Sequence, residues 1–299
     1  MPAPPAPRTS TSKEFKLVGF FLDLVMPPVI QRCRRSERSK RLRYPHGPYY
    51  KREMIPFLLF HAFPLSSAMW SAEAARFGEI CRLITPDLPG FGRAPRQKEP
   101  SILGMAREAA RLLDELGIRE PAVVGGLSMG GYVAFEFLRQ FPERVRALAL
   151  LSTRASADTQ EGRAKRLKGI EEIRAKGLGP FSRAVLPNLV GKTTLTSRPE
   201  VGRRVTEMIL ANSPEGVADA LLAMAARRDS TDLLRSIRVP TLVVAGDEDT
   251  FIPVSEAQAM AAQILEARLE VVEKAGHLVN LETPSRFQEL LERFLRTIG

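Results

Sequence analysis

The feature that most constrains this chain is a serine set among glycines where two patterns meet, in the stretch GGLSMGG centred on Ser128. The preceding PAVVGGL (121–127) is an apolar run typical of a buried strand, and the following MGGYVAFEFLRQF (129–141) has helical periodicity. In a sharp strand-to-helix turn the residues two before and two after the serine come close together, and Gly126 and Gly130 add no Cβ atom there. This G-x-S-x-G arrangement predicts a nucleophilic serine; the alternative is a turn whose serine only caps the helix.

Strand-like and helix-like segments alternate along most of the chain from Met54 onward. Apolar runs predict six strands, at residues 55–61, 81–87, 121–127, 146–152, 241–246 and 268–276. Amphipathic segments predict helices at about residues 67–79, 101–117, 129–141, 255–266 and 284–297. This alternation indicates an α/β fold with a mostly parallel, doubly wound sheet and helices on both faces.

The alternation is interrupted between residues 154 and 230, where the pattern is helical and no strand-like run occurs. A serine–proline–glutamate sequence beginning at Ser213 is a good helix start within this stretch. We therefore predict a helical cap at residues 154–230, inserted into a core formed by residues 54–153 and 231–299.

Residues 1–53 differ from the rest in charge and pattern. They hold 12 of the 44 Lys and Arg residues but only 4 of the 34 Asp and Glu, so most of the formal net charge of +10 belongs to them. Three interpretations are open: a poorly ordered extension, a stretch upstream of a true start at Met54, and a basic tail for RNA or anionic lipid. The rest of the chain is nearly neutral, and nucleic acid is not an expected partner.

Cysteine usage and hydropathy indicate a cytoplasmic protein. Cys33 and Cys81 form no metal-ligand pattern, and Cys81 opens an apolar run that predicts a buried thiol. The apolar stretch at residues 17–30 is shorter than a membrane span and contains Asp23, and no signal cleavage site follows it. We expect a reducing compartment, no disulfide and no membrane span.

A serine hydroxyl needs a base to take its proton, and the chain has three histidines. His46 lies in the basic segment, and His61 ends the first predicted strand. His277 follows the last predicted strand in a loop that can reach over the strand ends, which makes it the best candidate. The base needs an orienting carboxylate, which is expected after the preceding strand. The residues that qualify there by position are Asp247, Glu248 and Asp249.

From Met54 to the C-terminus the sequence resembles the α/β-hydrolase superfamily, and within it the small hydrolases of the 3-oxoadipate enol-lactonase and carboxylesterase type. The segments that carry the resemblance are HAFP (61–64), DLPGFG (87–92), GLSMG (126–130), GDEDTFIP (246–253) and GH (276–277). Together these segments are specific for the superfamily and poorly specific for a substrate.

The resemblance implies a role for each matching position. Ser128 would be the nucleophile, His277 the base, and Asp249 the acid, because it occupies the D of the family's G-x-x-D. The backbone N–H groups of Phe63 and Met129 would form the oxyanion hole. The implied reaction is two-step acyl transfer on a small-molecule ester or lactone, with no metal and no organic cofactor.

Other positions in these segments have implied structural roles or depart from the family. His61 would hold a loop, and Asp87 with Gly90 and Gly92 would shape a turn without a catalytic role. Ala62 stands where the family has glycine, so its methyl group puts the geometry of the oxyanion loop in question.

The substrate stays open at this level. Arg154 lies just beyond the fourth predicted strand, at the edge where such sheets bind ligands, and we hypothesise that it pairs with a substrate carboxylate. The same triad also serves cofactor-free perhydrolase or haloperoxidase-like chemistry and C–C bond hydrolysis. Some members of the fold are binding proteins without catalysis.

Overall fold

The computed structural model describes residues 54–298, which contain one six-stranded sheet. The strands are β1 Pro56–Phe60, β2 Arg82–Ile84, β3 Ala122–Leu127, β4 Val145–Leu151, β5 Thr241–Gly246 and β6 Arg268–Val272. Neighbouring strands are parallel, in the order β2-β1-β3-β4-β5-β6. The predicted parallel sheet is confirmed. The predictions for residues 1–53, with Cys33 and His46, lie outside the described residues.

The first strand is apolar throughout because both faces of the sheet are covered. Leu58 and Phe60 of β1 pack into one hydrophobic core, and Phe57 and Leu59 pack into another. Side chains alternate between the faces of a strand, so a strand buried on both faces has a continuous apolar sequence. Cys81 is buried in the second core, as predicted, and this burial raises the pKa of its thiol to about 12.

Helices connect the strands and cover both faces of the sheet. The helices before β4 are α1 Ser71–Phe77, α2 Ile102–Glu115 and α3 Met129–Gln140. Those between β4 and β5 are α4 Gln160–Lys176, α5 Leu178–Leu189, α6 Lys192–Ser197, α7 Pro199–Leu210, α8 Pro214–Ala225 and α9 Thr231–Leu234. The last three are α10 Val254–Ala261, α11 Val279–Glu282 and α12 Pro284–Ile298. Within residues 54–298, no helix combines the length and the apolar character that crossing a membrane requires.

Two predicted helix starts are confirmed by their caps. The Ser101 hydroxyl accepts a hydrogen bond from the N–H of Gly104 at 3.0 Å, at the start of α2. The Ser213 hydroxyl accepts from the N–H of Gly216 at 3.3 Å, at the start of α8. Each serine thereby satisfies one of the N–H groups that a helix leaves free at its first turn.

The stretch between β4 and β5 is helical from α4 to α9, and we call α4–α8 (residues 160–225) the helical insertion. Within it α4 packs against α5 and α8, and α5 packs against α7. The insertion therefore has internal packing of its own while both of its ends return to neighbouring strands of the sheet.

Two predicted strand ends are wrong. The strand predicted at 81–87 ends at Ile84, because its pairing with β1 stops there and Pro86 has no N–H group to continue the ladder. The strand predicted at 268–276 ends at Val272, because Lys274 has φ of 57°, which is incompatible with an extended strand.

Candidate active site

The candidate site lies where the strand order of the sheet reverses. Strand β1 has β2 on one side and β3 on the other, which makes the junction of β1 and β3 a topological switch point. In open α/β sheets a ligand crevice forms at this point, beyond the carboxyl ends of the strands. The segment after β1 begins at His61, and the turn after β3 holds Ser128. The sheet therefore brings these two distant parts of the chain together.

Ser128 occupies a sharp turn with φ of 57° and ψ of −113°. A non-glycine residue in such a conformation costs about 1–3 kcal/mol, which the surrounding structure must offset. A Cβ atom on Gly126 would lie 2.1 Å from the carbonyl carbon of Gly130, and one on Gly130 would lie 2.4 Å from the Phe60 oxygen. Both positions therefore require glycine, as the sequence predicts.

The alternative role of Ser128, as a helix cap, does not fit the structure. Ser128 is the residue before α3, yet its side chain makes no capping hydrogen bond. Its backbone is held from both sides instead: its N–H donates to the Leu151 oxygen at 2.9 Å, and its carbonyl accepts from the Thr153 hydroxyl at 2.8 Å. The Ser128 hydroxyl is therefore not used to cap the helix. Thr153, which supports the turn, is a residue that the sequence reasoning missed.

His277 and Asp249 meet after β6 and β5. His277 Nδ1 lies 2.7 Å from Asp249 Oδ2, and both side chains are almost completely buried. The other carboxylate oxygen, Oδ1, accepts hydrogen bonds from the N–H groups of Phe251 and Ile252, both at 2.8 Å. With Oδ1 engaged by two backbone donors, the carboxylate has a fixed orientation and presents Oδ2 to the imidazole.

The two other acidic candidates have different partners. Asp247 is exposed, and its Oδ1 accepts from the N–H of Ala275 at 3.3 Å. Glu248 accepts hydrogen bonds from the N–H and the hydroxyl of Thr193, at the start of α6. Of the three carboxylates that the sequence left open, Asp249 is the one that contacts His277.

Ser128 and His277 line the same cavity, which has a volume of about 40 Å³. One water molecule needs about 10–15 Å³ of such space, so the cavity has room for roughly three. Phe63 and Phe251 form part of its apolar wall, and the ring of Phe251 lies 5.5 Å from that of His277. The insertion contributes Val185 of α5, so its helices form one side of the site.

The two N–H groups expected to form an oxyanion hole are both free of partners within residues 54–298. Neither the N–H of Phe63 nor that of Met129 donates a hydrogen bond there. Ala62, which replaces a glycine, is fully buried and has no positive φ, so its methyl group requires no strained backbone. Its own N–H is directed to the sulfur of Met69, at 3.2 Å. Alanine is therefore compatible with the conformation of this loop.

His61 is a buried structural residue. Its Nε2 accepts a hydrogen bond from the N–H of Leu88 at 2.9 Å, which places the imidazole proton on Nδ1, facing the Ala62 oxygen at 3.0 Å. Burial lowers the pKa of His61 to about 4, so the ring is neutral at pH 7.

Asp87 also matches its prediction: its carboxylate accepts hydrogen bonds from the N–H groups of Ser67 and Arg93, and it holds a turn.

Arg154 lines the cavity, and it belongs to a cluster that the sequence analysis did not foresee. Its Nη2 lies 2.6 Å from Asp158 Oδ1, and Arg166 and Arg227 bind the same carboxylate. Although burial opposes the shift, hydrogen bonds from Arg166 and Arg227 hold the pKa of Asp158 well below its usual range. Three guanidinium groups thus surround one carboxylate, and two of them, Arg154 and Arg166, also line the cavity beside Ser128.

The signal for this cluster was present in the sequence but ambiguous. The insertion is rich in arginine and lysine, and the typical place for these residues on a helix is the solvated face. Only the packing of α4 against α8 shows that Arg166 and Arg227 point inward to one buried aspartate.

Known proteins are similar to this chain in sequence and in fold. The chain matches the family described as alpha/beta hydrolase fold over residues 55–284. It is similar to 3-oxoadipate enol-lactonase 2 of Acinetobacter baylyi, with 28% identity over 244 residues, or 81% of this chain and 89% of the relative. It is similar to the solved structure of a thermophilic esterase from Thermogutta terrifontis with malate bound, with 40% identity and a TM-score of 0.80 over 82% of this chain and 90% of the other. It is also similar to the enol-lactonase from Burkholderia xenovorans LB400, with 25% identity and a TM-score of 0.75 over 81% and 92% of the two chains.

Proposed function

Since this chain belongs to the α/β-hydrolase fold family and is a hydrolase acting on ester bonds, we propose that it cleaves a small carboxylic ester or lactone through a triad of Ser128, His277 and Asp249. The 2.7 Å contact between His277 Nδ1 and Asp249 Oδ2, beside a cavity that Ser128 also lines, is the observation that carries this proposal. Asp249 keeps the imidazole proton on Nδ1, and Nε2 is then the nitrogen that can accept a proton.

The reaction proceeds by two acyl transfers. Ser128 Oγ attacks the carbonyl carbon while His277 Nε2 takes its proton, and the resulting imidazolium gives that proton to the departing alcohol oxygen. His277 then takes a proton from water, whose oxygen attacks the acyl carbon. The bond from that carbon to Ser128 Oγ breaks, the acid leaves, and the imidazolium returns its proton to Ser128 Oγ. For a lactone the leaving alcohol stays attached to the acyl group, so ring opening yields a single hydroxy acid; an enol lactone yields an enol acid that tautomerises to the keto acid.

Two backbone N–H groups stabilise the negative charge that develops on the carbonyl oxygen. The N–H of Met129 opens α3, where the helix dipole favours negative charge, and the N–H of Phe63 comes from the segment after β1. Both groups lack partners in the described part of the chain, which supports their assignment to the oxyanion.

The helical insertion serves as the cap that closes this site. Val185 and Leu189 of α5 and Met224 of α8 line the cavity beside Ser128, so the insertion excludes water and limits the size of the acyl group. A cavity of about 40 Å³ accommodates a short acyl chain more readily than a bulky one.

Arg154 and Arg166 select substrates with a carboxylate on the acyl part. Their two guanidinium groups line the cavity and share one carboxylate, Asp158, so their positive charge exceeds its negative charge. In addition, the Nε of Arg154 is buried without a partner in the described residues. Partly buried cations of this kind are stabilised by an anion that can accept their hydrogen bonds. The similar thermophilic esterase was solved with malate, a dicarboxylate, which is the same chemical class.

Replacing Arg154 by alanine is expected to lower kcat/KM for anionic esters much more than for neutral esters. Hydrogen bonds to charged groups contribute about 1.5–3 kcal/mol, so kcat/KM for a half-ester of a dicarboxylic acid should fall about 10- to 100-fold. The neutral ester of the same length should change less than about threefold. Arg228, which is exposed in the segment between α8 and α9, gives the matched control Arg228→Ala, and it should leave both values unchanged. If Arg154→Ala lowered kcat/KM equally for both esters, the proposal that Arg154 binds a substrate carboxylate would be wrong.

The nucleophile is tested by covalent labelling. A fluorophosphonate forms a bond from phosphorus to an activated serine oxygen and releases fluoride. We expect one adduct in the native protein, located by peptide mapping on Ser128, together with turnover of p-nitrophenyl acetate. Protein unfolded before exposure should not react, because the activation depends on the folded triad. A folded protein with neither adduct nor turnover would contradict the triad mechanism.

A further inference from the structure

The connection between α5 and α6 of the insertion, residues 189–193, contacts both loops that carry the proposed acid and base. Two glutamates hold it there, Glu248 on the loop of Asp249 and Glu282 just beyond the loop of His277. We call these residues of the insertion the cap strap. Neither glutamate lines the cavity beside Ser128, so substrate binding does not explain their contacts with the cap strap.

Glu282 joins the cap strap to the loop of His277. Its fully buried carboxylate accepts hydrogen bonds from the N–H groups of Gly276 at 3.0 Å and Leu278 at 3.1 Å, the two neighbours of His277. The same Oε2 that binds Gly276 also accepts from the N–H of Gly191 at 2.8 Å. One carboxylate therefore fixes both sides of the histidine and the strap together.

Glu248 joins the cap strap to the loop of Asp249. Its carboxylate accepts from the N–H of Thr193 at 2.8 Å and from the Thr193 hydroxyl. Its backbone N–H donates to the Ala275 oxygen at 2.9 Å, which links the loop of Asp249 to that of His277. The residue that directly precedes the acid is thus bound both to the strap and to the base loop.

The strap and the histidine loop touch backbone to backbone. A Cβ atom on Gly276 would lie 2.2 Å from the N of Gly191, and one on Gly191 would lie 2.9 Å from the N of Gly276. The N–H of Leu278 also approaches the Leu189 oxygen at 3.2 Å. Because no side chain lies between the two backbones, a movement of the cap strap displaces the backbone next to His277.

From these contacts we infer that Glu248 and Glu282 are positioning residues, which make the alignment of His277 with Asp249 and Ser128 depend on a seated cap strap. This inference rests on the proposed triad, and it adds that the insertion aligns the catalytic base as well as covering the site. The physical reason is the steep dependence of acyl transfer on geometry, since a displacement of about 1 Å can cost 100-fold in rate.

The test removes one hydroxyl from the strap. Thr193→Val keeps the shape of the side chain and the backbone N–H that donates to Glu248, but it removes the hydroxyl donor, whereas Thr193→Ser keeps both donors. We expect Thr193→Val to lower kcat for p-nitrophenyl acetate about tenfold with KM changed less than twofold, and Thr193→Ser to restore kcat. The matched control is Thr196→Val in the same helix, whose exposed hydroxyl donates to the Lys192 oxygen and to no other group among residues 54–298. A purely structural role would lower stability without this separation of kcat from KM.

A second readout does not depend on turnover. The chain has only three histidines, so ¹⁵N-histidine labelling resolves the Nδ1 proton between His277 and Asp249. We expect this proton to exchange faster with solvent in Thr193→Val, while the buried His61 proton serves as an unchanged internal reference. Unaltered exchange at His277 would overturn the inference even if the protein had no esterase activity. Absent labelling of Ser128 in wild type would instead count against the triad mechanism itself.

Discussion

Ser128→Ala is expected to reduce kcat/KM for p-nitrophenyl acetate by about 10⁵- to 10⁶-fold while the protein remains folded. The loss is large because the hydroxyl is the atom that attacks the carbonyl, and in serine hydrolases the rest of the triad contributes little without it. Folding should be spared, because the Ser128 hydroxyl makes no capping hydrogen bond and alanine keeps the Cβ atom that the turn already accommodates. Initial rates and circular dichroism of the same preparations measure the two effects.

Ser152 provides the control for this experiment. It is a buried serine with a positive φ of 40° at the end of β4, and its hydroxyl has no partner within the described residues. Ser152→Ala should therefore keep both the fluorophosphonate adduct and turnover close to wild type. If Ser128→Ala retained activity within about tenfold of wild type, the hydrolysis would come from another group, and Ser128 would not be the nucleophile.

The sequence predicts the sheet well because a strand that is buried on both faces has a continuous apolar sequence, which is easily recognised. Strand β1 is apolar at successive positions, and Gly126 and Gly130 mark a turn where a Cβ atom cannot fit. Local features of this kind are determined by neighbours within a few residues. The elbow of Ser128 was therefore predictable in detail, including its position at the start of a helix.

The identity of the acid was less accessible to the residues alone, because it depends on contacts between loops. Asp247, Glu248 and Asp249 are adjacent and chemically alike, and only the family resemblance favoured the third. The structure distinguishes them by partners that are distant in sequence: Glu248 accepts hydrogen bonds from Thr193, whereas Asp249 contacts His277. No periodicity in the sequence encodes such a pairing.

The arginine cluster was missed for a related reason. A charged residue on a helix is ordinarily solvated, so Arg166 and Arg227 had no distinguishing local signal. Their common partner Asp158 lies in the segment before α4, while Arg227 follows α8, and the packing of these two helices decides that all three are buried together. Arg154 was predicted near the site, but its counterion was not.

Asp249→Asn is expected to lower kcat about 10⁴-fold with a much smaller change in KM. The asparagine oxygen can still accept from the N–H groups of Phe251 and Ile252, so the loop should keep its shape. Its amide group then faces His277 Nδ1 with donors, which stabilises the tautomer that carries its proton on Nε2. That tautomer cannot take the proton of Ser128, and the imidazolium loses its stabilising carboxylate. Steady-state kinetics on p-nitrophenyl acetate measures the loss.

The neighbouring Asp247→Asn supplies the matched control. Asp247 is exposed and offers one oxygen to the N–H of Ala275 at 3.3 Å, a hydrogen bond that asparagine can also accept. It should leave kcat within about twofold of wild type, because no proton transfer involves it. The two variants make the same chemical change two residues apart, so a charge effect common to the whole loop would lower both alike. Only a carboxylate acting through its contact with His277 gives a large loss at Asp249 and none at Asp247, and equal losses would reject Asp249 as the orienting acid.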